Sequence, residues 1–356
     1  MTEFSDILWA QIERYPGMQP QDAVKLAFQS EFGGGHLITD EAACLRYLYE
    51  ECAATPVDGG APLYEEIGGG MARVHLAALA AAGVAPETLG RAFLVSARTP
   101  QGTREGLERK LSLLEEAAGA GRFVFSAEVL REHLRDYAAA GYPAVSHSAA
   151  YRAAYHPAYR VVRLSFARAL RLIAAAEAVR QDKGGVFLAI DGMAAAGKST
   201  LAADLAAYFG EEECTIVHMD DFFLPPELRA AARYAEPGGN IHYERFREEV
   251  VEAFSRPAFT YARWDCTRGA FGPVCTVPRR PVCIVEGSYS MHPYFGDPYD
   301  LSVYLWVTPA EQRARILRRN GADWAQDFEI KWIPMENAYA SAFNIPNKCS
   351  FSIRNE

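Results

Sequence analysis

Eight consecutive residues, Gly192-Met193-Ala194-Ala195-Ala196-Gly197-Lys198-Ser199, satisfy the pattern G-x-x-x-x-G-K-[ST] at every specified position. Such a loop binds phosphate. Its glycines let the backbone wrap around an anion, so that the N–H groups of Ala194, Ala195, Ala196 and Gly197 point inward. A helix that starts at the end of the loop adds its positive terminus. Lys198 is expected on the β- and γ-phosphates of a nucleoside triphosphate, Ser199 on Mg²⁺, and Thr200 on the α-phosphate. The plain alternative is a glycine turn with a surface lysine. The context speaks against it: the apolar run VFLAI leads in and an Ala/Leu-rich helical stretch leads out.

Two acidic positions follow short apolar runs further along. Asp220-Asp221 comes directly after residues 215–219, and Glu286 directly after residues 282–285. In open α/β sheets, ligands gather at the carboxyl ends of strands. An acid there can accept the proton of an attacking hydroxyl or organise Mg²⁺. An acid at a strand end can also do no more than cap the next helix.

These residues need a scaffold, and the texture of the chain supplies one. From Gly184 onward, short apolar runs (186–190, 215–218, 282–285, 301–307) alternate with helical stretches, which implies a parallel α/β sheet flanked by helices. Before that, residues 1–158 read as mainly helical, with helices expected near 40–53, 71–82, 86–97, 103–120 and 127–140, the last capped by Ser126. No period-2 strand stands out in this half. Residues 161–181 read as one long helix, so the expected organisation is a helical domain (1–158), a connecting helix (159–183) and a phosphate-binding domain (184–356).

The runs IDGMAAAGKST, HMDDFFLP and VCIVEGSY resemble the uridine kinase and phosphoribulokinase-like branch of P-loop kinases, over about residues 184–353. The resemblance implies a P-loop NTPase fold, ATP and Mg²⁺, and transfer of the γ-phosphoryl group to a hydroxyl of a small metabolite. It makes Asp220 the general base, with Asp221 second choice, and sets Glu286 beside Ser199 at Mg²⁺. It places Tyr261 and Arg268 on the acceptor. It makes the stretch 309–319 a lid helix, with Arg315, Arg318 and Arg319 as candidates to reach the phosphates. The segment Ile345-Pro346-Asn347-Lys348 matches its x-P-x-K element. The chain departs from the pattern at Cys266, where uridine kinases carry histidine, at Arg263 and Asp265, in a short lid, and in the stretch 237–243. A non-nucleoside alcohol (a sugar, a pantothenate-like acid or an amino-acid-like alcohol) therefore stands beside a nucleoside as acceptor. A nucleotide-dependent switch acting on the N-terminal half is a third reading.

Smaller features carry paired readings. His242 and Tyr243 touch substrate, or Asn240 caps a helix whose charges are solvated. Arg315, Arg318 and Arg319 share a helix face, as a lid or as a solvated surface. In the first half, residues 33–35 precede His36, and Glu66 precedes another glycine triplet at 68–70: a site, or two flexible turns. Tyr151, Tyr155 and Tyr159 at spacing four suggest a helical stripe packing between the halves, weakened by Pro157.

Composition sets the outer limits. The 356 residues are 50% hydrophobic and 23% charged, which excludes disordered and collagen-like classes. A net charge of −9 argues against a broad nucleic-acid surface. The seven cysteines form no C-x-x-C pair and read as free thiols. No run approaches the roughly 20 apolar residues of a membrane span, and the first residues lack a secretory pattern. A cytoplasmic enzyme without membrane or nucleic-acid partners is expected; a homodimer is left open.

Overall fold

The computed structural model describes residues 4–38, 40–98, 102–265 and 268–356. The chain forms two compact units, Met1–Arg171 and Leu172–Glu356.

The first unit is built from helices α1 (Phe4–Arg14), α2 (Pro20–Phe32), α3 (Glu41–Ala54), α4 (Pro86–Arg98), α5 (Arg104–Gly119), α6 (Ala127–Ala139) and α7 (Ala149–Tyr155). It also holds an antiparallel sheet of β1 (Tyr64–Gly68), β2 (Met71–His75) and β3 (Tyr159–Arg163), in the order β1-β2-β3. The expectation of no strand in this half is therefore corrected. So is the helix expected over 71–82, which is β2 followed by a single 3₁₀ turn, Leu76–Ala78. Strand β2 is buried at four successive positions, so alternation is absent from its sequence. Strand β3 finds its partner far along the chain, Val162 opposite Ala72, which no local pattern reports.

Residues 161–163 belong to this strand, and the long helix α8 (Leu164–Lys183) begins only afterwards. The tyrosine stripe is corrected too. Helix α7 ends at Tyr155, His156 turns left-handed at φ 45°, and Tyr159 lies in β3. Tyr151 and Tyr155 instead pack on Tyr15 of their own unit, with ring centroids 5.4 and 5.1 Å away.

A core of aliphatic side chains, including Leu26, Ile67, Leu107, Leu114 and Leu130, lies between the helices and the sheet. Two buried polar groups of this unit are held by several partners each. Asp22 accepts from the Ser148 N–H (2.9 Å) and hydroxyl (2.6 Å), and lies 2.9 Å from His147 Nδ1. The fully buried Arg73 donates to Gln29 (2.9 Å) and faces Glu65 (3.3 Å).

The second unit contains a parallel sheet of β4 (Val186–Gly192), β5 (Cys214–His218), β8 (Val282–Glu286), β9 (Leu301–Trp306) and β10 (Phe351–Arg354), in the order β10-β9-β4-β8-β5. The apolar runs read from the sequence are four of these strands. Two further strands, β6 (Ala258–Asp265) and β7 (Ala270–Pro278), form a separate antiparallel hairpin. The flanking helices are α9 (Lys198–Phe209), α10 (Ala231–Ala235), α11 (Tyr243–Phe246), α12 (Pro309–Asn320), α13 (Ala322–Asp327), α14 (Ile333–Ala342) and α15 (Ile345–Lys348). The register puts Ile190 opposite Glu286, and Glu286 opposite His218. The carboxyl ends of β4, β8 and β5 thus form one row, and the candidate residues sit on it. No helix among the described residues is long and apolar enough to cross a membrane.

Candidate active site

The loop between β4 and α9 owes its shape to backbone contacts. A Cβ on Gly192 would lie 2.1 Å from the Leu305 carbonyl, so only glycine lets β4 run this close to β9. The Met193 N–H donates to that same carbonyl at 3.0 Å. Ala195 at φ 58° and Gly197 at φ 92° bend the loop, and α9 starts at Lys198 with no side chain capping its first N–H groups. Successive amides in such a bend, in front of a helix terminus, form an anion-binding concavity.

The loop is braced from outside. Gln312 Nε2 donates to the Ala194 carbonyl (3.1 Å), Asn355 Nδ2 to the Ala196 carbonyl (2.8 Å), and Arg315 Nη1 to the Ala195 carbonyl (3.4 Å). Of the loop amides, the Ala194 N–H donates to Glu336 (2.8 Å) and the Ala196 N–H to the Met193 carbonyl (3.1 Å).

Lys198 folds over the loop. Its ammonium donates to the carbonyls of Gly192 (3.0 Å) and Met193 (2.9 Å) and to Ser288 Oγ (3.1 Å). Ser199, one residue on, donates its hydroxyl to Glu286 at 3.0 Å. Glu286 also lies 2.5 Å from His218 Nδ1, and this bond raises the pKa of the imidazole above its ordinary value. Thr200 is exposed on the first turn of α9.

Asp220 and Asp221 lie in the 3₁₀ turn Met219–Phe222 that closes β5. Asp220 is open to solvent on one side and hemmed in by protein on the others. That crowding raises its pKa; Glu286 adds to the rise and Lys198 opposes it. Asp221 is raised by burial, against Arg263 and His218, and it accepts from the Tyr261 hydroxyl at 3.3 Å. Arg245 spans the floor beside it, donating to the carbonyls of Asp221 (2.9 Å) and Ala262 (2.7 Å).

The remaining candidates divide. Arg315 reaches the loop and is held by Glu311 (2.7 Å) and the Asn355 carbonyl (2.6 Å). Arg319 turns away to Asn320 (2.8 Å) and the Phe328 ring, so the two are not brought together. Arg268 is exposed near the tip of the β6–β7 hairpin, where its N–H donates to Asp265. Cys266 lies outside the described residues. His242, rather than Asn240, caps α11, its Nδ1 accepting from the Arg245 N–H at 3.3 Å. Tyr243 stacks on His292 at 4.6 Å and donates to Glu236 at 3.1 Å, so it serves its own loop.

In the first unit, His36 packs edge-on against Phe28 and Glu66 faces Arg168 at 3.6 Å; each is engaged separately. That unit has its own cavity of about 340 Å³, walled by Tyr15, His75, Tyr151, Tyr155 and Tyr159.

Sequence reasoning passed over Ser288, His218, Gln312, Asn355 and Glu336. Ser288 and His218 had a signal, since both adjoin strand ends already under suspicion. Glu336 had none. It sits on α14, and its carboxylate accepts from the Ala194 N–H at 2.8 Å, 142 positions along the chain.

The chain matches no family model, and no curated protein matches it in sequence. Among solved structures, it is similar to a "possible uridine kinase" from Bacillus stearothermophilus, at 17% identity and a TM-score of 0.38, over 51% of this chain and 98% of that one. It is also similar to a "putative fructose transport system kinase" from Silicibacter sp. TM1040, at 23% identity and a TM-score of 0.36, over 47% and 89% of the two chains. At these scores the likeness adds nothing on substrate; the fold rests on the strand order and the loop.

Proposed function

We propose that the chain is an ATP-dependent phosphotransferase that moves the γ-phosphoryl group to a hydroxyl of a small metabolite. One observation carries this reading: Lys198, Ser199, Glu286 and Asp220 converge at the adjacent carboxyl ends of β4, β8 and β5, around an anion-binding bend.

The residues fit a nucleoside triphosphate. The bend offers backbone donors, and the Lys198 ammonium rests on loop carbonyls, weak partners that a phosphate oxygen outcompetes. Ser199 and Glu286 supply a hydroxyl and a carboxylate for Mg²⁺, which would offset charge on the β- and γ-phosphates. Asp220 takes the proton of the acceptor hydroxyl. The crowding that raises its pKa makes it a stronger base than an unperturbed aspartate. Arg315 offsets negative charge from the lid side, and Arg319 joins it when the lid closes. Tyr261, Asp221 and Arg245 form a rigid wall on the acceptor side. Water has to be kept from the phosphoryl group, so closure should follow acceptor binding.

The acceptor is a nucleoside, a sugar or another small alcohol. The purified full chain with ATP and Mg²⁺ should release ADP faster in the presence of one member of a metabolite library. Mass spectrometry should then find that member heavier by one phosphoryl group. Nucleotide binding with no phosphorylated product from any member would instead favour a nucleotide-dependent switch.

A further inference from the structure

Helix α14 is fastened at two points one turn apart, to the phosphate-binding loop and to the end of the strand that leads into it. Glu336 Oε2 accepts from the Ala194 N–H at 2.8 Å, and Tyr339 donates its hydroxyl to Asp191 at 2.8 Å. Asp191, buried just before Gly192, also accepts from the Met291 N–H at 2.9 Å. The second oxygen of Glu336 accepts from the Ser288 hydroxyl at 2.8 Å, and Ser288 in turn accepts from Lys198 at 3.1 Å. A closed ring results: Ala194 amide, Glu336 carboxylate, Ser288 hydroxyl, Lys198 ammonium, and back to the loop through the carbonyl of Met193.

A carboxylate is an unusual thing to set on such a loop. The amide it takes belongs to the G-x-x-x-x-G-K-S run itself, whose purpose is to meet phosphoryl oxygens. Carboxylate and phosphoryl oxygen are both anionic acceptors, so they compete for one donor and repel each other. One hydroxyl separates Glu336 from Lys198, and the lysine of this motif serves the β- and γ-phosphates. The competition therefore falls on the β- and γ-phosphates, and the γ-phosphate, carried by the triphosphate alone, adds the most charge beside the carboxylate. Burial raises the pKa of Glu336, while Lys198, the Ser288 hydroxyl and the Ala194 N–H oppose that rise and favour the charged form.

We propose that Glu336 sets the nucleotide preference of the loop, by holding the Ala194 amide against the third phosphate so that a triphosphate binds fully only when α14 yields. The proposal rests on the phosphate-loop reading above. It deepens that reading by assigning Glu336 as a specificity-determining residue, and it makes α14 the element that must shift when a triphosphate enters.

The test is a titration of the full chain with fluorescent analogues of ATP and ADP in the presence of Mg²⁺. Glu336→Gln keeps an acceptor for the Ala194 N–H and removes the charge. It should bind the triphosphate about tenfold more tightly, while diphosphate affinity changes less than about twofold. Glu336→Ala should shift the ratio the same way, and thermal unfolding of both variants reports whether the fold holds. In the wild type, the diphosphate should bind at least as tightly as the triphosphate. Should both variants keep the wild-type ratio of affinities, or bind the triphosphate more weakly, Glu336 is a structural clamp and the proposal is overturned. Binding of neither nucleotide by the wild type overturns the phosphate-loop reading itself, a separate result.

Discussion

Each unit of this protein contains a stretch dense in glycine, and the two stretches are used in opposite ways. In the first unit, a Cβ on Gly69 would lie 1.7 Å from the Ser30 carbonyl, and one on Gly102 would lie 2.2 Å from the Glu31 carbonyl. These glycines exist so that backbone can pack on backbone; they are filled contacts. In the second unit, the loop from Gly192 to Gly197 touches neighbouring backbone at its first glycine and side chains after that, its carbonyls braced by Gln312, Arg315 and Asn355 and its Ala194 amide held by Glu336. Glycine density therefore does not separate a packing turn from a ligand cradle. What separates them is the company: a lysine, a hydroxyl and a helix start on one side, and an acid at the end of the next strand.

The contrast can be broken by substitution, since one stretch should fail in chemistry and the other in stability. Lys198→Ala and Asp220→Asn should each lower the turnover of ATP with its acceptor by a factor on the order of a hundred or more. Their circular dichroism spectra should match the wild type. An Asp220→Asn protein that turns over normally would remove Asp220 from the role of base.

Gly69→Ala should do the reverse, forcing a clash with Ser30 at a backbone angle of φ 61°. We expect a loss of about 3 kcal/mol or more in urea unfolding, read on a probe in the first unit. A loss under about 1 kcal/mol would show that the turn can move aside.

Acid should act on the first unit through Asp22. Burial pushes its pKa up, but the bonds from His147, Ser148 and Gln19 outweigh burial and hold it below its ordinary value. A depressed pKa contributes stability that is complete above the unfolded value of about 3.9 and fades as pH falls through the folded one. Asp22→Ala should cost about 2 kcal/mol at neutral pH by stranding those donors. It should also flatten the pH dependence of stability below about pH 4; an unchanged slope would place the acid sensitivity elsewhere.

The smallest effect is expected at Ala195, which holds φ 58° without being glycine. Ala195→Gly removes a left-handed penalty of about 1 kcal/mol and adds backbone entropy to the unfolded chain. The net change in unfolding free energy should stay within about 1 kcal/mol, with nucleotide affinity kept.

Much of the second unit was legible because its strands are short, apolar and followed by the residues that matter. Val186 to Ile190 leads to Gly192, and Val282 to Val285 leads to Glu286, so sequence order and spatial order coincide at the strand ends. The first unit lacked that coincidence. Strand β2 shows no alternation because it is buried on both faces, and β3 pairs with a strand far upstream. The same limit hid Glu336. Its partner is set by how α14 lies against the loop, a tertiary fact with no local spacing to betray it. Arg315 and Arg319 show the converse error: helical spacing placed them together, while the neighbours on offer, Glu311 and Asn320, drew them apart.

The sheet order also has a consequence in time. Strand β4 lies between β8 and β9, so the strand that carries the loop pairs only with segments that follow it by about a hundred residues. A ribosome that has just released Ser199 has made the whole motif, yet the carbonyl that anchors Met193 belongs to Leu305 and does not exist. Non-local parallel pairing of this kind is slow. During synthesis and refolding, nucleotide should therefore find no cradle until nearly the entire second unit has assembled, and the ability to bind it should be among the last properties the chain acquires.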